Sequence, residues 1–380
     1  MKVSKLRMRK VLNSKSLPTI EVETEVKNKL IRTAVPSGTS VGKYEVKTLS
    51  VERALRIFPT IRRRFEKKEF SSIEEVDSLL KELDGTKNFS RIGGNVALAI
   101  SSVFLKAFAI KESLEVFEYL GGKKLPRPLC NVAGGWGKEN EIQEFLLYPQ
   151  KQRRYSSSIF RIAKAYVELG KLLKKYDKTF KFGKNYESAW VASLPTEKLL
   201  SLIKKVSNGL VIGLDVAAND RWDGRKYLKR SKEQHFKFLS ALVKRFDIAY
   251  VEDPFHEDDF DSFAEFLSKH RKILVCGDDL LATNPKRLEV ALKKKSVNAV
   301  IVKPNQIGTI TDTIEFVKKA KKNNVKTVMS HRSGTTDDTL FAHLAVGLEC
   351  DFAKFGVSGE RIVKLNELIR IEEKLSVKEL

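Results

Sequence analysis

The sequence predicts an α/β protein, a β/α barrel preceded by a smaller α+β cap, and three observations carry that prediction. Apolar runs in the second half end abruptly in charge: Leu210–Leu214 before Asp215, Ile248–Val251 before Glu252, Ile273–Gly277 before Asp278 and Val297–Val302 before Lys303. Runs of this kind suit strands buried on both faces of a parallel sheet. The four charged residues are separated by 37, 26 and 25 residues, and the last two intervals each hold one strand, one helix and two short loops. The first 125 residues follow a different order, with strands first and helices after.

In that first part, residues 9–26 and 29–37 read as strands joined by a turn near Lys27–Lys29, and residues 40–46 as a loop leading into a third strand. Helical periodicity follows over 50–65, 71–83, 96–112 and 114–122, punctuated by Asp84-Gly85 and Gly93-Gly94. These elements form a cap domain over residues 1–125, and the proline-bearing link near Lys124–Pro126 opens a barrel domain over 126–380. The barrel begins with strand candidates at 128–135 and 141–149, continues through helices from about Ser156 and Thr196, and then alternates strand and helix to Phe352.

A lone carboxylate after a strand ordinarily caps the next helix or joins an ion pair. Four charged ends in succession describe a pocket, because a barrel gathers the carboxyl ends of its strands on one rim. An oxygen-only set, Asp215, Glu252 and Asp278, without a Cys or His cluster, points to magnesium before zinc. A lysine beside a divalent ion has its ammonium form disfavoured, so Lys303 suits a base. The expected chemistry is proton abstraction next to a carboxylate.

Composition narrows the class. A formal charge of +23 favours anionic ligands, phosphorylated ones among them, yet the lysines are spread along the chain and no nucleic-acid reader motif accompanies them, so nucleic acid is expected to bind non-specifically if at all. Cys130, Cys276 and Cys350 are irregularly spaced and read as buried thiols of a reducing compartment. The most apolar stretch, 96–110, is interrupted by Lys106 and reads as a packed helix, and the opening ten residues lack a signal-peptide core. A cytoplasmic location is expected.

Longer motifs resemble a known family. Val251-Glu252-Asp253-Pro254-Phe255, Gly277-Asp278-Asp279-Leu280, Lys303-Pro304-Asn305-Gln306-Ile307-Gly308, Ser330-His331-Arg332-Ser333-Gly334 and Val35-Pro36-Ser37-Gly38-Thr39-Ser40 closely resemble enolases. So do Asn13–Thr19, Leu83–Thr86 and Gln143-Glu144-Phe145, in the expected order over nearly the whole chain. The resemblance implies an eight-stranded barrel whose second strand is antiparallel, a homodimer or higher oligomer, and magnesium-dependent interconversion of 2-phosphoglycerate and phosphoenolpyruvate, with two ions, the second arriving with substrate.

Residue by residue, the resemblance makes Asp215, Glu252 and Asp278 the magnesium ligands and Lys303 the base at carbon 2. Lys354 helps neutralise the substrate carboxylate. Arg332 and Ser333 bind the phosphate, with His331 beside them. Gly38 and Ser40 lie on a mobile lid whose serine reaches the second ion. Glu144 and Glu187 assist loss of the hydroxyl, Glu187 as general acid, with Gln143 their neighbour.

Two loops depart from the family pattern. Residues 185–192 retain only the glutamate of a glycine-rich motif, and 134–140 lack the usual histidine, for which Lys138 supplies charge but no equivalent proton chemistry. Thr335 replaces a glutamate, and Asn13 and Lys15 are also altered. These changes leave two alternatives to an enolase: a divergent paralogue of other substrate or weak activity, or a non-catalytic barrel that binds an anion or RNA through the loops at Trp136 and Trp190.

Overall fold

The computed structural model describes residues 1, 4–38, 42–66, 68–135 and 140–377. The cap opens with an antiparallel sheet of β1 (Ser4–Leu12), β2 (Pro18–Val26) and β3 (Lys29–Ala34), in that order. The expected strand over 9–26 is thus split: Asn13 Oδ1 accepts from the amides of Lys15 at 2.9 Å and Leu17 at 3.2 Å, so its side chain nucleates a turn. The loop expected over 40–46 is a turn where it is described, Gly42–Glu45, in which the Glu45 side chain accepts the Gly42 amide, and no strand follows it before residue 51.

Helices α1 (Val51–Glu66), α2 (Ile73–Asp84), α3 (Gly94–Lys111) and α4 (Val116–Tyr119) complete the cap. In α1 the buried residues Val51, Ala54, Phe58, Ile61 and Phe65 recur at three and four residues, the stripe that lays a helix on a sheet. Helix α3 is long and apolar enough to cross a membrane by length and composition alone, but 83% of it is buried inside the protein. It is the core helix of the cap.

The barrel comprises β4 (Arg127–Pro128), β5 (Cys130–Gly134), β6 (Glu144–Pro149), α5 (Tyr155–Tyr176), α6 (Thr196–Ser207), β7 (Leu210–Asp215), a small hairpin of β8 (Lys226–Tyr227) and β9 (Arg230–Ser231), α7 (Lys232–Phe246), β10 (Tyr250–Glu252), α8 (Phe260–Lys269), β11 (Leu274–Gly277), α9 (Pro285–Lys294), β12 (Ala299–Val302), α10 (Pro304–Ile307), α11 (Ile310–Lys322), β13 (Lys326–Ser330), α12 (Leu340–Gly347), β14 (Phe352–Lys354) and α13 (Ile362–Val377). The main sheet runs β4-β14-β13-β12-β11-β10-β7-β6-β5. Only Leu129 separates its two terminal strands, and the Leu129 amide itself donates to Ala353. One segment therefore pairs with β14 through its first half and with β6 through its second, which closes an eight-stranded ring. Strand β6 is antiparallel to both neighbours, as the resemblance implied.

Inside the ring Leu129, Leu146, Tyr148, Tyr250, Cys276, Ala299, Ile301, Val328 and Phe352 pack as a separate apolar plug. The three cysteines are buried and unpaired. Cap and barrel are joined by polar contacts as well as apolar ones. Asp77 on α2 accepts from Thr311 N and Oγ1 at 2.9 and 2.8 Å at the start of α11, and Lys106 on α3 pairs with Asp338 at 2.8 Å.

Candidate functional site

Asp215, Glu252 and Lys354 end their strands, Asp278, Lys303 and His331 follow theirs by one residue, and Glu144 begins the antiparallel β6; all meet on one rim. Register explains the meeting, since Glu252 lies opposite Asp215, Asp215 opposite Glu144, and Lys354 opposite Ser330. The Lys354 ammonium is buried and donates to Asp215 Oδ2 at 2.7 Å and Glu252 Oε1 at 2.8 Å, and lies 3.2 Å from Glu144 Oε2. Across the rim Lys303 pairs with Asp278 Oδ2, and Gln306 Nε2 donates to Asp278 Oδ1 at 3.2 Å.

Six carboxyl groups, Glu144, Asp215, Glu252, Asp253, Asp278 and Asp279, thus surround two ammonium groups. The excess shows in their protonation. Burial, and then Asp215, push the Glu252 carboxyl well above the ordinary carboxylate value. Burial and Asp278 push Asp279 up to about 8. Burial would raise Asp278, but Lys303 outweighs it and holds that group low. A cup of buried oxygen donors with surplus negative charge fits a divalent cation, and the Lys354 ammonium already marks a cation-sized position between Asp215 and Glu252.

On this rim, among the described residues, Asp253, Asp278 and Asp279 each offer an oxygen within 4.8 Å of the others. Asp253 is committed elsewhere, because its oxygens accept the amides of Asp278 at 2.9 Å and Asp279 at 2.7 Å. It staples the loop that presents Asp278. Its own backbone is left-handed, with φ of 41°, a conformation that costs energy in a non-glycine residue and marks a constrained turn. Sequence reasoning quoted Asp253 within a motif and gave it no role.

The other half of the cup contains His331, Glu187 and Arg332. His331 Nε2 lies 2.5 Å from Glu187 Oε2. Burial would raise the Glu187 carboxyl, but His331, Arg361 and Lys354 together hold it below the usual range. Burial pushes His331 itself down to about 4. A neutral imidazole donating Nε2–H to an ionised carboxylate satisfies both. Burial raises the Glu144 carboxyl to about 8, with Lys354 opposing and Glu187 and Asp215 adding to the rise, so of the two glutamates it is Glu144 whose surroundings favour the protonated form. The anticipated effect of one carboxylate on another is present, acting on the partner.

Arg332 is buried and its NH1 and NH2 donate to Glu45 Oε2 at 2.8 Å and Oε1 at 3.2 Å, a two-pronged pair with a cap residue that sequence reasoning missed. The Ser333 carbonyl accepts from Arg361 at 2.8 Å and Ser14 Oγ at 3.2 Å. Gln143 donates its amide to the Asp215 carbonyl at 2.9 Å, which places it beside Glu144 at the rim. Gly38 adjoins Ser37, which exchanges two backbone hydrogen bonds with Gly334, each 2.9 Å. A Cβ on Gly334 would stand 2.7 Å from Ser37 Oγ, so the absent side chain is what lets the lid base reach the Arg332 loop. Ser40, Trp136 and Lys138 lie outside the described residues.

The divergent loops have internal reasons for their shape. Trp190 is buried, stacks on Tyr166 at 4.6 Å and donates Nε1–H to the Tyr166 carbonyl at 2.9 Å. It anchors the 185–192 loop and is not the exposed contact surface considered for a binding barrel. Lys15 lies 4.6 Å over the Tyr186 ring, so an altered residue of the first motif reaches the altered loop. Thr335 Oγ1 accepts from the buried Lys364 ammonium at 3.0 Å.

Comparison with known proteins decides the family. Residues 3–120 match the family model described as enolase, N-terminal domain, and 122–379 the one described as enolase, C-terminal TIM barrel domain. The chain belongs to the enolase family. The enolase of Archaeoglobus fulgidus is 39% identical, with 98% of this chain and 97% of the relative covered. That of Methanosphaera stadtmanae is 38% identical with the same coverage, and that of Pyrobaculum aerophilum 35% with 99% and 97%. Enolases depend on magnesium in general, and the buried carboxylates described above are groups that could hold it.

Proposed function

We propose that this chain is a phosphopyruvate hydratase, a lyase of glycolysis and gluconeogenesis that interconverts 2-phosphoglycerate and phosphoenolpyruvate. The observation that carries this reading is the cup in which Lys303 and Lys354 face one another's carboxylates on a single rim. Magnesium held by Asp215, Glu252 and Asp278, with a second ion reached by Ser40 once substrate is bound, would neutralise the substrate carboxylate and acidify carbon 2. Lys303 takes the carbon 2 proton. Its ammonium is held in the charged form by Asp278, against burial, so relief from that one carboxylate is what frees it as a base. Lys354 stabilises the charge that gathers on the substrate carboxylate.

Arg332 and Ser333 receive the phosphate, for which a guanidinium fork is well shaped, and Glu45 yields that fork as substrate enters. Glu144 and Glu187 act as a pair on the departing hydroxyl: Glu144 brings the proton, and Glu187 with His331 relays it, while Gln143 and Gly38 line the approach. The reading divides the chain into a cap of residues 1–125 and a barrel of 126–380, acting in the cytoplasm as a homodimer or higher oligomer.

The test separates the two proton transfers. Lys303→Ala should abolish exchange of the carbon 2 proton with solvent, measured by loss of deuterium label. Glu187→Gln and Glu144→Gln should retain exchange and lose dehydration by at least about 100-fold. Equal loss of exchange in all three variants would remove the division of labour.

A further inference from the structure

Away from the rim, one buried cation lacks a carboxylate. Lys364, in the first turn of α13, is 3% exposed, and its ammonium donates to Thr335 Oγ1 at 3.0 Å and to the Thr336 carbonyl at 2.8 Å. Both partners are neutral. An ammonium has three N–H donors, so one is left over, and no carboxylate pairs with it among the described residues. Burial pushes this lysine down to about 8, with Asp338 opposing, so at pH 7 the ammonium is still the main form. A buried charge of this kind is costly unless an opposite charge stands beside it.

Lys364 lines a small cavity between cap and barrel, together with Thr33 at the end of β3, Ser102 on α3, and Thr335, Thr336 and Asp338 beyond the Arg332 loop. About 10 Å³ of it is open to the centre of a water-sized particle, which is room for a single occupant of that size. Two further lining groups are orphaned. Thr33 Oγ1 and Ser102 Oγ are buried, on residues 3% and 1% exposed, and neither makes a hydrogen bond among the described residues. A serine inside a helix can bond back to the carbonyl one turn before; Ser102 does not. Asp338, a carboxylate of the same wall, is committed elsewhere: both its oxygens accept from Lys106 at 2.8 Å, and the amides of Ala34 and Leu340 donate to it at 3.2 and 2.8 Å.

We propose that this cavity binds one small monovalent anion of halide size, chloride in ordinary salt, which fastens the cap to the barrel. One N–H and two O–H groups of the wall lack an acceptor, and a halide accepts from all three while cancelling the lysine charge. Water would satisfy the hydroxyls and leave the charge unmatched. A phosphate is too large for the space, and Lys364 repels a metal cation. The donors come from both halves of the molecule, Thr33 and Ser102 from the cap and Lys364 from the barrel, so the ion is a joint between them. Thr335 and Thr336 follow directly on Arg332-Ser333-Gly334, so the same ion steadies the loop that carries Arg332. It takes no part in the reaction at the rim.

Crystals of the full chain grown in sodium bromide should show an anomalous scattering peak within about 3.5 Å of Lys364 Nζ, Thr33 Oγ1 and Ser102 Oγ. In solution, Tm should rise saturably with sodium chloride, by about 1 to 3 °C at about ten times the half-saturating concentration, beyond the rise in sodium gluconate of equal ionic strength, whose anion is too large for the cavity. Thr33→Val with Ser102→Ala removes two donors that the fold itself does not use, so this variant should fold and should need at least about 10-fold more chloride for the same rise. Thr335→Glu sets a carboxylate against Lys364 in the anion's place; it should raise Tm in gluconate and abolish the chloride increment. Three results would each overturn the proposal: no bromide in the cavity, equal rises in chloride and gluconate, or an undiminished chloride increment in either variant. The first would assign the cavity to water.

Discussion

Glu45 stands where the substrate phosphate is expected, with Arg332 gripped at both guanidinium ends and both side chains less than a tenth exposed. A buried guanidinium needs a counter-charge when no ligand is present, and Glu45 supplies it across 287 residues of sequence. Glu45→Gln keeps the shape and removes the competing charge. Phosphoenolpyruvate, measured by calorimetry with magnesium, should then bind about 3- to 10-fold more tightly; weaker binding would mean that Glu45 orients the fork with substrate in place. A second residue couples stability to pH. His235 is buried against Tyr227 and donates to the Pro254 carbonyl at 2.9 Å, and burial pushes its pKa down to about 4. The unfolded chain takes up that proton near 6.5. Stability should therefore fall as pH drops from about 6.5 to about 4, by on the order of 3 kcal/mol from this group. Urea unfolding at pH 7, 5.5 and 4.5 should show a smaller loss in His235→Phe. Residues repeated in motifs, such as Lys303 and Arg332, were legible in the sequence. Glu45 and Arg361 were not, because the contacts that bring them to the site, with Arg332 and with the Ser333 carbonyl, reach far along the chain.

At the scale of elements, the barrel was legible because four of its strands, β7, β10, β11 and β12, are short apolar runs that stop in charge, and chemistry at a strand end is chemistry on the rim. The cap was less so. Asn13 turns a continuous strand-like pattern into a hairpin; there a side chain bonding to nearby backbone outweighed the apolar pattern. The protonation of Glu144 and Glu187 was illegible for a related reason, since it depends on Arg361 and Lys354 rather than on the two glutamates alone. The loop after β11 offers a test of element-level support. Asp253 holds the Asp278 and Asp279 amides, so Asp253→Ala should loosen the presentation of Asp278 and lower magnesium affinity about 10- to 100-fold, with the fold retained by circular dichroism. Unchanged affinity in titration calorimetry would mean that the loop keeps its shape without the staple.

At the scale of the whole molecule, the proposed reading has cap and barrel share one substrate: the cap contributes Glu45 and the segment at Ser37, and the barrel contributes the carboxylates and lysines. The Ser37–Gly334 bridge ties the two at the point of entry. The segment Arg127–Gly134 has a further effect through its position as both first and last member of the sheet. A ring joined in this way has no loose selvedge from which to ravel, so its opening strand is as deeply protected as its middle ones. Amide hydrogens of Leu129–Val132 should exchange with deuterium on the same slow timescale as those of β11 and β12, and Leu129→Pro, which removes the amide that donates to Ala353, should make the whole ring exchange faster at once. The seam and the fabric are the same thread.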